Sequence, residues 1–303
     1  MISVDSLIHK YGDRTALSSV SFQVREAEIF GLLGPNGSGK STLFRILSTM
    51  MAPTQGRASI AGFDVVAQPQ NVRRRVGVVF QSQSLDKKLT VEENLRGQGR
   101  LFGMSGPALR RRVQEVVDRL GLADRRNDLV ESLSGGLRRR VEVAKALLHE
   151  PKVLLMDEPS TGLDPAARRE LWQSIEDLRT RQSATVLLTS HVLDDAERCD
   201  RLLLLHQGRA VALGTPAELK SRVGGDVLVL EVADPEAMRA QLAQRFGAQP
   251  RVVDGALRVE IANGHRFITE VIEAFPGAIR SVALHKPTLE DVFLDETGAS
   301  INE

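Results

Sequence analysis

Two stretches of this chain have the residue types and spacing to hold an anion. The first, GPNGSGKST at 34–42, fits the pattern G-x-x-x-x-G-K-[ST]. Gly34, Gly37 and Gly39 let the backbone curl so that its N–H groups face phosphate oxygens, and a following helix adds positive charge from its N-terminus. Lys40 has the reach and charge for β- and γ-phosphates, and the Ser41 hydroxyl suits Mg²⁺. Gly34, Pro35, Asn36, Gly37, Ser38, Gly39, Lys40, Ser41 and Thr42 are therefore candidate nucleotide-binding residues. The second stretch, LSGG at 133–136, leads into the basic helical pattern LRRRVE. A chain with one complete phosphate loop has no evident need of the second device, so what that device binds is the first question.

Catalysis of phosphoryl transfer also needs carboxylates. KVLLMDE at 152–158 is an apolar run that ends in two of them. Mg²⁺ takes hard oxygen ligands, so Asp157 is a candidate ligand, direct or through water. Glu158 is then the candidate to orient and polarise an attacking water. The bland alternative is an exposed acidic pair at a strand end. Gln81 and His191 likewise follow apolar runs, at 75–81 and 184–191. In open parallel sheets the ligand site lies beyond the carboxyl ends of the strands. The phosphate loop, Gln81, Asp157, Glu158 and His191 are accordingly expected on one rim, with Gln81 near Mg²⁺ and water and His191 near the γ-phosphate. A strand-end His with a purely structural role is the alternative. Asp164 precedes Pro165 and fits a helix N-cap. Tyr11 is the single tyrosine and has a simple packing reading beside alternating strands.

The elements that must carry these residues fall into two kinds. SVSFQV at 19–24 alternates, with Val20, Phe22 and Val24 on one face, as a half-exposed antiparallel strand does. RASIAGFDV at 57–65 is expected to be another such strand. Runs at 28–34, 75–81, 152–158, 184–191 and 201–208 are nearly continuous in apolar residues, which marks strands buried on both faces of a parallel sheet. PALRRRVQEVVDRLG places Leu109, Val113, Val116, Val117 and Leu120 on one helical stripe between Pro107 and Gly121. The segment 83–150 is expected to be a mostly helical insertion, opening near a capping-box pattern from Thr90 to Glu93. After Gly224 and Gly225 the character changes to a small α+β pattern without a phosphate loop or clustered acids.

Length and charge limit the remaining choices. A chain of 303 residues can form two domains with separate cores. With 40 basic and 39 acidic residues, the net charge of +1 is not that of a protein drawn to nucleic acid by charge. One cysteine, Cys199, excludes an intrachain disulfide and suits a reducing compartment. No run approaches the ~18–20 apolar residues of a membrane span, and 1–13 lacks the apolar region of a secretory leader. Any link to a membrane is therefore expected to run through a partner.

With these motifs assembled in order, residues 1–220 resemble the ATP-binding-cassette (ABC) ATPases. The resemblance rests on the phosphate loop, Gln81, LSGG at 133–136, VLLMDE at 153–158, STGLD at 160–164 and His191. It implies an α/β P-loop NTPase fold. That fold has a mainly parallel core sheet, an antiparallel β-subdomain, a helical insertion and a small C-terminal α+β domain. Domains are then expected at 1–222 and 223–303. The resemblance also implies what the second device binds. In that family two copies face each other head to tail around ATP, so Ser134, Gly135 and Gly136 would meet the γ-phosphate held by the partner copy. Asp164 would lie at the dimer junction, and Tyr11 would stack on adenine. Leu137 departs from the family's usual Gln. Because the anion contacts come from Ser134 and the backbone, activity is expected to survive that change.

LSGG-x-RRR, SLDKKLTVEENL at 84–95 and LHKPTLEDVFLDETG at 284–298 resemble the ATP-binding subunits of daunorubicin-type drug-resistance exporters. The resemblance implies hydrolysis of ATP with Mg²⁺ to drive export of drug, lipid or polysaccharide-like cargo. It also implies a second copy and polytopic permease subunits as partners, no nucleic acid, and a cytoplasmic place against the inner face of the membrane. Segment 82–102 is the expected permease-docking surface. An importer ATPase has the same core motifs and is the alternative. A soluble cassette acting on ribosomes or DNA is a lesser one, since neither a second cassette nor a long coiled coil is present. Intact Lys40, Glu158 and His191 argue against a non-catalytic scaffold.

Overall fold

The protein is described from a computed structural model over residues 1–299; positions 300–303 of the expected C-terminal domain lie outside the described residues. Two compact units divide the described residues, Met1–Leu213 and the segment from Gly214 onward.

In chain order the elements begin with β1 (Ile2–Tyr11), β2 (Arg14–Val24), β3 (Ile29–Leu33), α1 (Lys40–Leu47), β4 (Gln55–Ile60) and β5 (Phe63–Asp64). Next come α2 (Pro69–Arg73), β6 (Val76–Val79), α3 (Val91–Leu101), α4 (Gly106–Arg119) and α5 (Gly135–Leu147). The unit continues through β7 (Val153–Asp157), α6 (Pro165–Gln182), β8 (Thr185–Ser190), α7 (Leu193–Ala196), β9 (Arg201–His206) and β10 (Arg209–Gly214).

The core sheet has the order β10-β9-β3-β8-β7-β6, and the pairs β9/β3, β3/β8, β8/β7 and β7/β6 are parallel. Every residue of β3 and β8 is buried, as expected of strands covered on both faces. Because β3, β8, β7 and β6 are consecutive neighbours and parallel, the segments leaving their carboxyl ends emerge side by side. Those segments begin with the phosphate loop, His191, Glu158 and, one residue past Phe80, Gln81.

A second sheet, β2-β1-β4-β5, is antiparallel. Along β2 the buried Val20, Phe22 and Val24 alternate with exposed Ser19, Ser21 and Gln23, so one face packs and the other meets solvent. Phe22 stacks on Phe30 of β3 at 5.3 Å between ring centroids, joining this sheet to the core sheet. The stretch expected as one strand at 57–65 is two. Ala61 and Gly62 have φ of 51° and 84° and turn the chain between β4 and β5. Strand β1 was not legible as alternation because Ser6, at φ 48°, breaks its register against both neighbours.

The helical insertion packs α3 against α4 and α5. Thr90 and Glu93 form a reciprocal capping box on α3. Arg112 of α4 donates to the carbonyls of Leu147 and Leu148, at 2.6 and 3.0 Å, and so supplies donors to the C-terminal turn of α5.

The second unit contains α8 (Pro216–Lys220), β11 (Asp226–Val232), α9 (Pro235–Phe246), β12 (Arg251–Val253) and β13 (Ala256–Ile261). It ends with α10 (Gly264–Ala274), β14 (Ile279–His285) and α11 (Leu289–Thr297). Its antiparallel sheet, ordered β12-β13-β11-β14, shares a core with α9 and α10 that includes Leu228, Leu230, Leu242, Leu257 and Phe267.

Candidate nucleotide site

The phosphate loop joins buried β3 to α1. Gly37 and Gly39 have φ of 77° and 109°, a region that L side chains rarely adopt. A Cβ on Gly39 would also lie 2.8 Å from the carbonyl oxygen of Ala16. Gly34 is needed for a different reason: a Cβ there would fall 2.2 Å from the Leu205 carbonyl oxygen. Lys40 is 4% exposed, and its Nζ donates to the carbonyls of Gly34 and Pro35 at 2.6 and 2.8 Å. Burial lowers its pKa, against the opposing pull of Glu158 and Asp157. The loop thus holds a desolvated ammonium on two neutral carbonyls, for which phosphate oxygens are stronger acceptors.

A cavity of about 270 Å³ opens over this loop. Its lining includes Tyr11, Asn36, Gly37, Gly39, Lys40, Ser41, Thr42 and Glu158. Arg14 and Arg45 line it too, and neither was singled out from the sequence, where each is one more arginine in a strand or helix. Tyr11 is 45% exposed, meets His9 edge-on at 4.7 Å and donates through its hydroxyl to Met51 Sδ at 3.5 Å. Its ring is held at the cavity mouth rather than buried in the core.

The strand-end residues gather on Glu158. Gln81 Nε2 donates to Glu158 Oε2 at 3.0 Å, Thr161 Oγ1 donates to the same oxygen at 3.2 Å, and His191 Nδ1 lies 3.2 Å from Oε1. Asp157 beside it accepts from Thr189 Oγ1 at 2.6 Å, and that hydroxyl accepts in turn from the Glu158 N–H at 2.9 Å. Burial raises the Asp157 pKa; the Thr189 hydrogen bond lowers it, Glu158 raises it further, and Lys40 and Arg139 pull it down. Thr189 was missed because a threonine inside a β-strand run carries no motif signal.

Ser41, Gln81 and Asp157 offer a hydroxyl, an amide carbonyl and a carboxylate, the hard oxygen donors that Mg²⁺ takes. The residues fit a Mg²⁺–nucleotide ligand. LSGG lies outside the cavity lining. Ser134 caps α5, accepting from the Leu137 N–H at 3.3 Å, and Gly136 allows a close approach to α6, where a Cβ would meet Ala167 Cβ at 2.6 Å. Asp164 caps α6, accepting from Ala166 and Ala167 N–H at 3.0 Å each, and those backbone donors lower its pKa. The structure therefore brings the phosphate loop, Gln81, Asp157, Glu158 and His191 together within one chain. Ser134, Gly135, Gly136 and Asp164 start two adjacent helices instead.

Comparison with known proteins agrees with this geometry. A profile of the ABC transporter family matches residues 17–161, and one for the C-terminal domain of DrrA1-3-like ATP-binding proteins matches 214–297. The daunorubicin resistance ATP-binding protein DrrA3 of Streptomyces coeruleorubidus is 39% identical, the match covering 98% of this chain and 96% of that one. The Nod factor export ATP-binding protein I of Paraburkholderia xenovorans is 40% identical over 100% and 98% of the two chains. Among solved structures, an ATP-binding subunit of an ABC transporter superposes with a TM-score of 0.66 at 32% identity, covering 74% of this chain and 93% of that one. A dimeric ATP-binding cassette bound to ADP and Pi matches with a TM-score of 0.64 at 28% identity, over 71% and 98%. The chain belongs to the ABC transporter ATP-binding proteins, a family of P-loop ATPases whose hydrolysis of ATP is coupled to transport.

Proposed function

We propose that this chain energises a membrane exporter by closing, head to tail, on a second copy of itself around ATP. The observation that carries the reading is the convergence of Gln81, His191 and Thr161 on the Glu158 carboxylate beside the Lys40 cavity. Glu158 accepts a proton from the attacking water and orients it. Lys40 leaves its loop carbonyls for the β- and γ-phosphates, and His191 contacts the γ-phosphate. Ser41, Gln81 and Asp157 would hold Mg²⁺, which when bound would supply positive charge against the phosphoryl group. Ser134, with the N–H groups of Gly135 and Gly136, starts a helix that faces outward for the partner copy's γ-phosphate. Asp164 lies at the junction, and Tyr11 stacks on adenine.

Export as the direction of transport is supported by relatives named for daunorubicin resistance and for Nod factor export. Among the described residues no helix is long and apolar enough to cross a membrane, which fits a permease partner carrying the spans. Segment 82–102 is proposed as the docking surface. Leu101 on it is 83% exposed, and a cavity of about 280 Å³ lined by Val72, Phe80, Phe102 and His149 adjoins it.

The test uses tagged Glu158→Gln protein with ATP and Mg²⁺. Its steady-state hydrolysis is expected to fall about 10²–10⁴-fold, the span general-base catalysis supplies, while ATP binding persists. From solubilised membranes it is expected to recover a polytopic membrane protein. Near-normal hydrolysis contradicts the role of Glu158, and recovery of soluble partners alone contradicts the exporter.

A further inference from the structure

Arg139, the fifth residue after Ser134, is 5% exposed, yet its four hydrogen-bond acceptors are all main-chain carbonyls. Nη1 donates to Phe80 O at 2.6 Å and Nε to Pro159 O at 2.8 Å; Nη2 donates to Asp157 O at 3.1 Å and Glu158 O at 3.3 Å. Three consecutive carbonyls converge on one side chain because the chain curls at Glu158, whose φ is 44°. That left-handed conformation is strained for a non-glycine residue and persists only where its surroundings hold it. The fourth acceptor belongs to Phe80, immediately before Gln81. One guanidinium from the LSGG helix thus gathers the backbone behind Gln81, Asp157 and Glu158.

We propose that Arg139 is a positioning residue: it holds the left-handed turn at Glu158 and the exit of β6 in register, and so aims the Glu158 carboxylate and Gln81 at the reacting water. It also makes α5, whose N-terminus carries Ser134, rigid with the carboxylate of its own chain. A guanidinium suits the task because its donors are fixed in a planar fork; a lysine ammonium has three donors from one point and cannot span both strand exits equally well. The proposal rests on the reading of Glu158 as the group that orients water. Glu158→Gln alone tests that reading, so the two failures are distinguishable.

The experiment measures kcat, KM for ATP and melting temperature for the full chain carrying Arg139→Gln, Arg139→Lys, Glu158→Gln, or Arg139→Gln with Glu158→Gln. Arg139→Gln is expected to lower kcat by about tenfold or more with KM changed less than about twofold, because the phosphate loop is untouched. Arg139→Lys is expected to recover part of kcat at the same KM. The double variant is expected to be no slower than Glu158→Gln, since both changes remove one function. The proposal is overturned by an unchanged kcat in Arg139→Gln, by a rise in KM as large as the fall in kcat, or by losses that multiply in the double variant. If neither Arg139 variant folds, Arg139 serves the core alone and the proposal fails.

Discussion

Glu158 receives Gln81, Thr161 and His191 on its carboxylate and Thr189 on its backbone. A group surrounded in this way is set in orientation before any substrate arrives, which is what positioning catalysis requires. Thr189 also tunes its neighbour. Its hydroxyl stabilises the charged form of Asp157, whose pKa burial otherwise raises. Thr189→Val removes that stabilisation, so the Asp157 pKa rises further and the ionised form, the one proposed to hold Mg²⁺, is lost at a higher pH on acidification. The acid limb of kcat/KM is therefore expected to move to higher pH; a limb that stays in place or moves to lower pH contradicts the assignment. At this scale the sequence was legible where a spaced motif marks residues that the fold gathers at one rim. It was silent on Thr189, Arg14 and Arg139, because their roles come from which strands are neighbours, and neighbour order is not written in local spacing.

Among the elements, the buried parallel strands were readable because burial on both faces leaves a run of Val, Leu and Ile with no polar break. The strand expected at 57–65 was divided because a two-residue turn of Ala61 and Gly62 interrupts a run of otherwise suitable residues. Strand β1 was hidden by its irregular register at Ser6. The helical insertion carries the next prediction. Leu101 closes α3 and is almost fully solvated, so Leu101→Asp has no core to disturb. Recovery of the permease by that variant is expected to fall, while ATP hydrolysis by the isolated subunit stays within about twofold, as for surface changes generally. Undiminished recovery contradicts docking on 82–102.

For the whole molecule, the cavity over the phosphate loop is lined by one chain's Tyr11, Lys40 and Glu158 but not by its Ser134. Either the LSGG helix serves the partner's nucleotide or it plays no part in the anion chemistry its sequence suggests. Complementation separates these directly. Lys40→Ala and Ser134→Arg chains are each expected to lose hydrolysis when alone. Mixed with ATP and Mg²⁺, they form a dimer in which the intact phosphate loop of one chain faces the intact Ser134 of the other. Measured ATPase activity is predicted to reappear on mixing and to depend on both proteins. If the mixture is as inactive as its parts while the two chains do associate, the nucleotide site is completed within one chain, and the head-to-tail account is wrong.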